Sequence, residues 1–425
     1  MNKITTETRI EATPETLGAL DALLREGARK MLQLALEAEI EEHLERFRHL
    51  VGDDGKRLVV RNGTMPERTL LTGAGPIPIT RPRVDDRALA TRGHERFTSR
   101  ILPPFMRRAP SIDALVPVLY LKGISTDDFP TALEAILGPE AKGLSAATVV
   151  RLKEQWTAEH AAWSKRSLKG KRYVYVWADG VYSNARLEDE RACLLVIMGA
   201  DSSGNKELLA VSDGVRESAQ SWKEILLDLR SRGLEKAPSL AMCDGAMGFQ
   251  SAAAEVWPET RIQRCWFLLT WPCQVSESGN VLDKLPKSLQ AKAKGMLHDQ
   301  YLAPTREEAL KAYDLFVASF GDKYPKAVEC LVKDKDDLFA FYDFPAAHWL
   351  HLRTTNPIES TFATVRLRHR RTKGNGTRTA TLAMVFKLCR EAEKGWRRLD
   401  GFKYIPLVEA GIKFVNGEQV QDAAA

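Results

Sequence analysis

The stretch Tyr173–Asn184 reads Tyr-Val-Tyr-Val-Trp-Ala-Asp-Gly-Val-Tyr-Ser-Asn, and it constrains the chain more than any other. Its β-branched and aromatic run carries apolar residues on both sides of the pleat. That predicts a strand buried on both faces. The run breaks at Asp179-Gly180, where a carboxylate can leave the core. The same design recurs at Ser239–Gly245, where Leu240-Ala241-Met242-Cys243 leads into Asp244-Gly245. Two strands that each end in Asp-Gly bring two carboxylates side by side. The natural guest for such a pair is a divalent metal.

The segments around these strands form an α/β pattern. Ala192–Ala200, the turn Asp201-Ser202-Ser203-Gly204-Asn205 and Glu207–Val211 read as a hairpin following the first strand. Ser221–Arg232 is an amphipathic helix with Trp222, Ile225, Leu226 and Leu229 on one stripe. The Ser239–Cys243 strand, a helix at Met247–Val256 and a strand at Thr260–Trp266 complete the order βββαβαβ. That is the RNase H-like arrangement, in which the fourth strand lies beside the first, so Asp179 and Asp244 become neighbours. Residues 283–345 read as a helical insertion. Beyond it, Pro357 suits a first helical turn, which puts Glu359 near a helix start with Arg366 two turns further along the same face. The expected fold class is an α/β RNase H-like catalytic core (βββαβ-α-β-α) with an all-helical insertion, preceded by a mainly helical DNA-binding region.

At 425 residues the chain exceeds one ordinary core. Seven segments are expected: an N-terminal helix over 1–50, a candidate for dimerisation, and a small β-rich segment over 51–100. A helical, helix-turn-helix-like region covers 101–168 and the first part of the core 169–280. The insertion takes 281–350, the completion of the core with a basic helix 351–400, and a C-terminal tail 401–425, of which Glu418–Ala425 reads as disordered. No apolar run approaches the ~20 residues of a membrane helix, and residues 1–6 show no apolar signal core. The six cysteines form no Cys-x-x-Cys pair, which argues against structural zinc and for a reducing compartment. The expected location is cytoplasmic, associated with the nucleoid, with no membrane partner.

Net charge is +6, but its distribution matters more. Between Arg353 and Arg378 seven basic residues face one acid, Glu359. Arg366, Arg368, Arg370, Arg371 and Lys373 form a phosphate-binding patch, which positions DNA without reading its sequence. A two-carboxylate glycosidase would not need such a patch.

These residues carry a resemblance that runs over nearly the whole chain. Leu24-Arg25-Glu26-Gly27-Ala28-Arg29, Leu58-Val59-Val60-Arg61-Asn62-Gly63, Ile101-Leu102-Pro103-Pro104 and Gly143-Leu144-Ser145-Ala146-Ala147-Thr148-Val149 contribute to it. So do both Asp-Gly pairs and Arg353-Thr354-Thr355-Asn356-Pro357-Ile358-Glu359. The chain resembles bacterial insertion-sequence transposases of the Mutator-like family. The resemblance implies a DDE enzyme whose acids are Asp179, Asp244 and Glu359, both catalytic and metal-holding, with Cys265, Arg353 and Asn356 as supporting residues. It departs at Leu268, where the family has the His of Cys-x-x-His, and over Phe267–Gly279.

The implied chemistry is strand cleavage by water, then strand transfer by the freed 3′-OH, at the element's terminal inverted repeats. Two Mg²⁺ ions ~3.5–4 Å apart would serve both steps, with Mn²⁺ as substitute. Asp179 would bridge them, and Asp244 and Glu359 would each complete one. The partners implied are the repeats and target DNA, with a homodimer or larger assembly to hold both ends. Two other readings stay open: a transposase copy that binds DNA without cutting it, and an RNase H-like nuclease.

Overall fold

A computed structural model describes residues 14–91, 93–124, 128–137, 146–183, 192–214, 216–245, 247–266, 281–372 and 377–420. The chain divides into two compact units, 1–150 and 151–425.

In the first unit α1 spans Pro14–Arg46. Strands β1 (Val60–Thr64) and β4 (Pro82–Asp85) pair antiparallel, as do β2 (Arg68–Thr72) and β3 (Gly75–Ile79). Leu36 of α1 is buried with Leu70, Ile79 and Leu102, with Leu32 and Met106 packed against them. Glu39 locks this arrangement by accepting hydrogen bonds from Ser99 Oγ at 2.5 Å and the Arg100 amide at 2.6 Å. After the four-residue helix α2 (Arg87–Ala90) come α3 (Pro110–Leu121) and α4 (Phe129–Leu137).

The second unit is built on a five-stranded mixed sheet. Its strands are β5 (Tyr173–Ser183), β6 (Ala192–Asp201), β7 (Lys206–Gly214), β8 (Leu240–Cys243) and β9 (Arg261–Arg264). Their spatial order is β7-β6-β5-β8-β9. The first three are antiparallel, and β5, β8 and β9 are mutually parallel. Helix α5 (Ala146–Ser164) precedes the sheet, α6 (Ala219–Ser231) links β7 to β8, and α7 (Met247–Val256) links β8 to β9. Ser218 caps α6, its hydroxyl accepting from the Ser221 amide. The predicted stripe Trp222, Ile225, Leu226 and Leu229 is buried in one core with Phe249, Ala253 and Trp257 of the α7 region. Val176, Ala178, Leu195, Ile197, Leu209, Ala241 and Cys243 supply the sheet side of that core.

The opposite face belongs to the C-terminal half. The insertion is helical as expected, with helices Lys287–Leu302, Arg306–Phe320 and Pro325–Val332. Tyr175 and Trp177 alternate with Val176 and Ala178, so they point away from α6 and α7. Tyr175 Oη lies 2.8 Å from His348 Nδ1, and Trp177 Nε1 donates to the His351 carbonyl at 3.1 Å.

Two expectations are corrected here. The first strand does not end at Asp179-Gly180: β5 pairs with β6 as far as Ser183 opposite Ala192. The stretch Glu418–Ala425, read as disordered, begins inside a folded segment that runs through Val420, and residues 421–425 lie outside the described residues. Ile405 and Phe414 are buried, Phe414–Val415 pairs with Glu418–Gln419, and Gly417 exchanges backbone bonds with Tyr342 and Ala346. Polar residues in short elements carry little periodic signal, so a tail and a docked hairpin look alike in sequence. No helix among the described residues is long and apolar enough to cross a membrane.

Candidate functional site

Strand alternation places the first two acids. Asp179 follows Tyr175 and Trp177 at period two, so it faces away from α6 and α7. In β8 the residues on the α6–α7 side are Ala241 and Cys243, which puts Asp244 with Asp179. The parallel register pairs Ala178 with Cys243, so the next residues, Asp179 and Asp244, stand side by side. The neighbourhood expected from topology is therefore present. Gly245 follows Asp244 at φ +86°, a true left-handed turn that favours glycine.

Glu359 arrives from far along the chain. It lies in the first turn of the helix Asn356–Thr372, preceded by Thr355. The Cys265 amide donates to the Cys243 carbonyl at 2.9 Å, and the Trp266 amide to the Arg353 carbonyl at 2.9 Å. These bonds lay the segment before the helix along the end of β9. Thr355 then ties the carboxylate down: its hydroxyl donates to Glu359 Oε1 at 2.6 Å, and its amide to Cys265 Sγ at 3.3 Å. Cys265 Sγ itself lies 3.7 Å from Glu359 Oε1. Cys265 thus lies against both the Glu359 carboxylate and the Thr355 amide. Thr355, fully buried, does more and was missed. Its signal in the sequence is its place immediately before a helix whose fourth residue is the acid.

Asp179 is 9% exposed. Its Oδ1 accepts from the Gly180 amide at 2.8 Å. Burial pushes its carboxyl well above the usual range, and the charges of Asp244, Glu359 and Glu217 push the same way. Those acids therefore act on one buried carboxyl. Among the described residues, no three His, Cys, Asp or Glu side chains stand close enough together to hold a metal ion as placed.

Glu217 is the second residue missed. Burial first, and then Asp244, push its carboxyl up to about 7. The signal was available in topology: β5, β7 and β8 all run toward the same end of the sheet, and Glu217 lies three residues past the end of β7.

The basic residues divide. Arg366 and Arg370 are exposed on the helix Asn356–Thr372. Arg368 is a correction: at 2% exposed it lies in the core and presents no free face to a phosphate. Two residues along a helix from Arg366 is a rotation of about 200°, so both cannot share the solvent side. Arg378 forks onto Asp213, both contacts at 2.9 Å. Arg353 is likewise corrected as a support for the acids. Its half-buried guanidinium packs over the rings of Phe341 and Trp349, 4.6 and 5.0 Å from their centroids. Asn356 is exposed and opens the acid-bearing helix. The Arg371 side chain, Lys373, Leu268 and the Phe267–Gly279 stretch lie outside the described residues. Trp266 is core: fully buried, it donates to the Leu338 carbonyl at 2.8 Å.

Comparison with known proteins adds sequence-wide likeness to this geometry. The family model described as "Transposase, Mutator family" matches residues 1–399. The transposase for insertion sequence element IS6120 of Mycolicibacterium smegmatis is 48% identical over 307 residues, covering 72% of this chain and 92% of the relative. The transposase for element IST2 of Acidithiobacillus ferrooxidans is 50% identical over 293 residues, covering 67% and 94%. Among solved structures, a chain of the Drosophila P element transposase strand transfer complex matches at 11% identity over 77% of this chain and 88% of that chain. Its TM-score of 0.27 is too slight to bear on the fold.

Proposed function

The chain belongs to the Mutator family of transposases, and from that premise we propose that it is a DDE enzyme which cleaves and joins DNA at the terminal inverted repeats of an insertion sequence. The observation that carries this reading is the in-register placement of Asp179 beside Asp244, with Glu359 tied to the neighbouring strand end through Thr355 and Cys265. The strand order, with the fourth strand against the first, supports an RNase H-like core.

The donor set is carboxylate oxygen, which suits Mg²⁺ or Mn²⁺. A buried acid surrounded by further acids is a place where a divalent cation relieves repulsion. Asp179, Asp244 and Glu359 would hold it, drawing together as they do. Such ions, when bound, supply charge neutralisation at the phosphorus and a nucleophile at neutral pH. The protein's own part is positioning. Thr355 orients one Glu359 oxygen and leaves the other available. The β5–β8 register keeps the two aspartates at one level. Arg366 and Arg370 neutralise phosphates of the DNA beyond the acids, which makes binding salt-dependent. Two element ends must meet, so the working unit is a dimer or larger, acting in the cytoplasm on the nucleoid.

The test is cleavage of a labelled duplex carrying the element's terminal repeat, with and without Mg²⁺, followed by assay for joining. Metal-dependent nicking and joining are expected. Nicking without joining would leave a nuclease, and binding without nicking would leave a DNA-binding protein. Thr355→Val keeps the side-chain shape but loses the bond to Glu359. It is expected to lower the cleavage rate about 10-fold to 100-fold, the usual cost of removing a partner that orients a metal ligand. An unchanged rate would show that Glu359 needs no such hold.

A further inference from the structure

In the first unit, residues 99–110 form a loop that is held at both ends. On one side Leu102 is buried and its amide donates to Ser99 Oγ at 3.0 Å. Arg68 Nη2 donates to the Leu102 and Pro103 carbonyls at 3.3 and 3.1 Å. On the other side Met106 packs against the core of Leu36, Leu70, Ile79 and Leu102. The Leu71 amide donates to the Arg107 carbonyl at 2.9 Å, and the Leu71 carbonyl accepts from the Ala109 amide at 2.8 Å. Between these anchors Pro103-Pro104-Phe105-Met106 closes a tight turn, the Met106 amide donating to the Pro103 carbonyl at 3.3 Å. Pro104 stands second in it and Phe105 third, at φ +65°. A proline second and a positive φ third is the type II pattern, whose third place normally goes to glycine or asparagine.

Phenylalanine serves the fold poorly there. Its Cβ strains the left-handed backbone, and its ring is 94% exposed, so it gains nothing from burial. Glycine would remove the strain and the exposed apolar surface together. The ring is thus placed for a contact beyond the chain, and the charge around it says of what kind. Residues 96–112 hold four arginines and no acid. Arg108 turns to Asp113 at 2.8 Å, whereas Arg100 and Arg107 are exposed on either side of the turn. A protruding ring between cations matches a polyanion with flat apolar faces. Nucleic acid has that chemistry, with bases for the ring and phosphates for the arginines. We propose that Phe105 is a DNA wedge, its ring stacking into a base step of the element-end duplex while Arg100 and Arg107 hold the flanking phosphates. Inserted apolar side chains unstack such steps. The inference rests on the reading of the chain as a protein that binds its element's ends. The two prolines and the anchors on both sides leave little to order when the ring goes in.

The test is binding of the full-length chain to a duplex carrying the terminal repeat, with 2-aminopurine placed at successive positions to report unstacking. Wild type is expected to bind and to raise the fluorescence at one step. Phe105→Gly is expected to bind about 10-fold to 100-fold more weakly, the usual cost of losing one aromatic stacked on a base, and to leave that fluorescence unchanged. It should melt no lower than wild type, because the turn is relieved and no buried contact is lost. Its binding should depend on salt as steeply as that of wild type, since the ring carries no charge. Phe105→Trp keeps an aromatic face and should retain both binding and the fluorescence rise. Wild-type affinity in Phe105→Gly would overturn the wedge and leave DNA binding by the chain standing. Unchanged affinity with a smaller assembly in solution would assign the ring to a contact between copies instead. A lower melting temperature, or a shallower salt dependence, would show that the fold or the basic loop was lost and not the stack, and would overturn the proposal likewise. Absence of binding by wild type would overturn both the wedge and the reading on which it rests.

Discussion

Asp179→Asn is expected to reduce DNA cleavage by on the order of a thousandfold or more, while the folded chain becomes more resistant to heat in the absence of metal. The two effects have one cause. Asp179 lies on the central strand, nearly buried, where Asp244, Glu359 and Glu217 all act on its carboxyl. Asparagine fills the same space and can still accept from the Gly180 amide, but it brings no charge for a cation. In metal-dependent phosphoryl transfer nearly all the acceleration comes from positioning and charge neutralisation, so losing the central ligand removes most of it. In the metal-free protein that same charge is a burden. Desolvation and three like charges oppose its ionisation, and a neutral amide escapes both. Measurement of the nicking rate in Mg²⁺, and of the melting temperature in chelator, reads the two effects separately. A variant retaining a tenth of wild-type cleavage would remove Asp179 from the centre of the chemistry. A large loss of cleavage with a lowered melting temperature would point to damaged folding instead.

The second large effect is a loss of stability in mild acid that originates at His348. This side chain is fully buried, and burial pushes its pKa down from 6.5 to about 4. Its Nε2 lies 2.9 Å from the Gly401 carbonyl, which can only accept, so Nε2 carries the proton. Nδ1 is then the acceptor for the Tyr175 hydroxyl at 2.8 Å. The native state thus holds His348 neutral, while the unfolded chain protonates it near 6.5. Between these values the unfolded state binds the extra proton, so stability falls as pH falls. The contribution is fully present above about pH 6.5 and lost by about pH 4, amounting to roughly 3 kcal/mol. Asp179 and Glu217 work in the opposite sense, since their carboxyls are raised in the fold and favour it as they protonate. The His348 contribution is therefore read as a difference between wild type and His348→Gln, followed by urea unfolding from pH 7.5 to 4.5. The variant starts less stable at pH 7.5 and should approach wild type as pH falls. Parallel curves would show that His348 does not titrate across the transition.

Much of the second unit is legible in the sequence. The order of strands and helices from Tyr173 to Trp266 follows from period-two and period-3.6 patterns, because each element buries one face or both against its neighbours. Glu359 was readable from Pro357 and the helix it opens. The basic cluster was readable as a cluster, but not residue by residue. Arg366 and Arg368 have the same chemistry, yet one is exposed and the other is in the core. Composition cannot distinguish them, since the buried side of a helix that carries charge all round is chosen by what packs against it. Gly180 misled in a similar way. Asp-Gly ordinarily signals a turn, and at Asp244-Gly245 it does. At Asp179-Gly180 the strand continues, and the glycine admits a neighbour 37 residues further along the chain.

The sequence alone determined the element order and the placing of Asp179 near Asp244, because these depend on local backbone preferences and on the right-handed connections that place the fourth strand beside the first. Tertiary structure alone decided what surrounds those acids. Glu217 entering from the opposite face, Thr355 and Cys265 fastening Glu359, Arg368 turned inward and the C-terminal hairpin docked beside Tyr342 are all contacts between distant segments. No local periodicity encodes them, since their energies arise only when desolvation, charge and close packing act together in the assembled core.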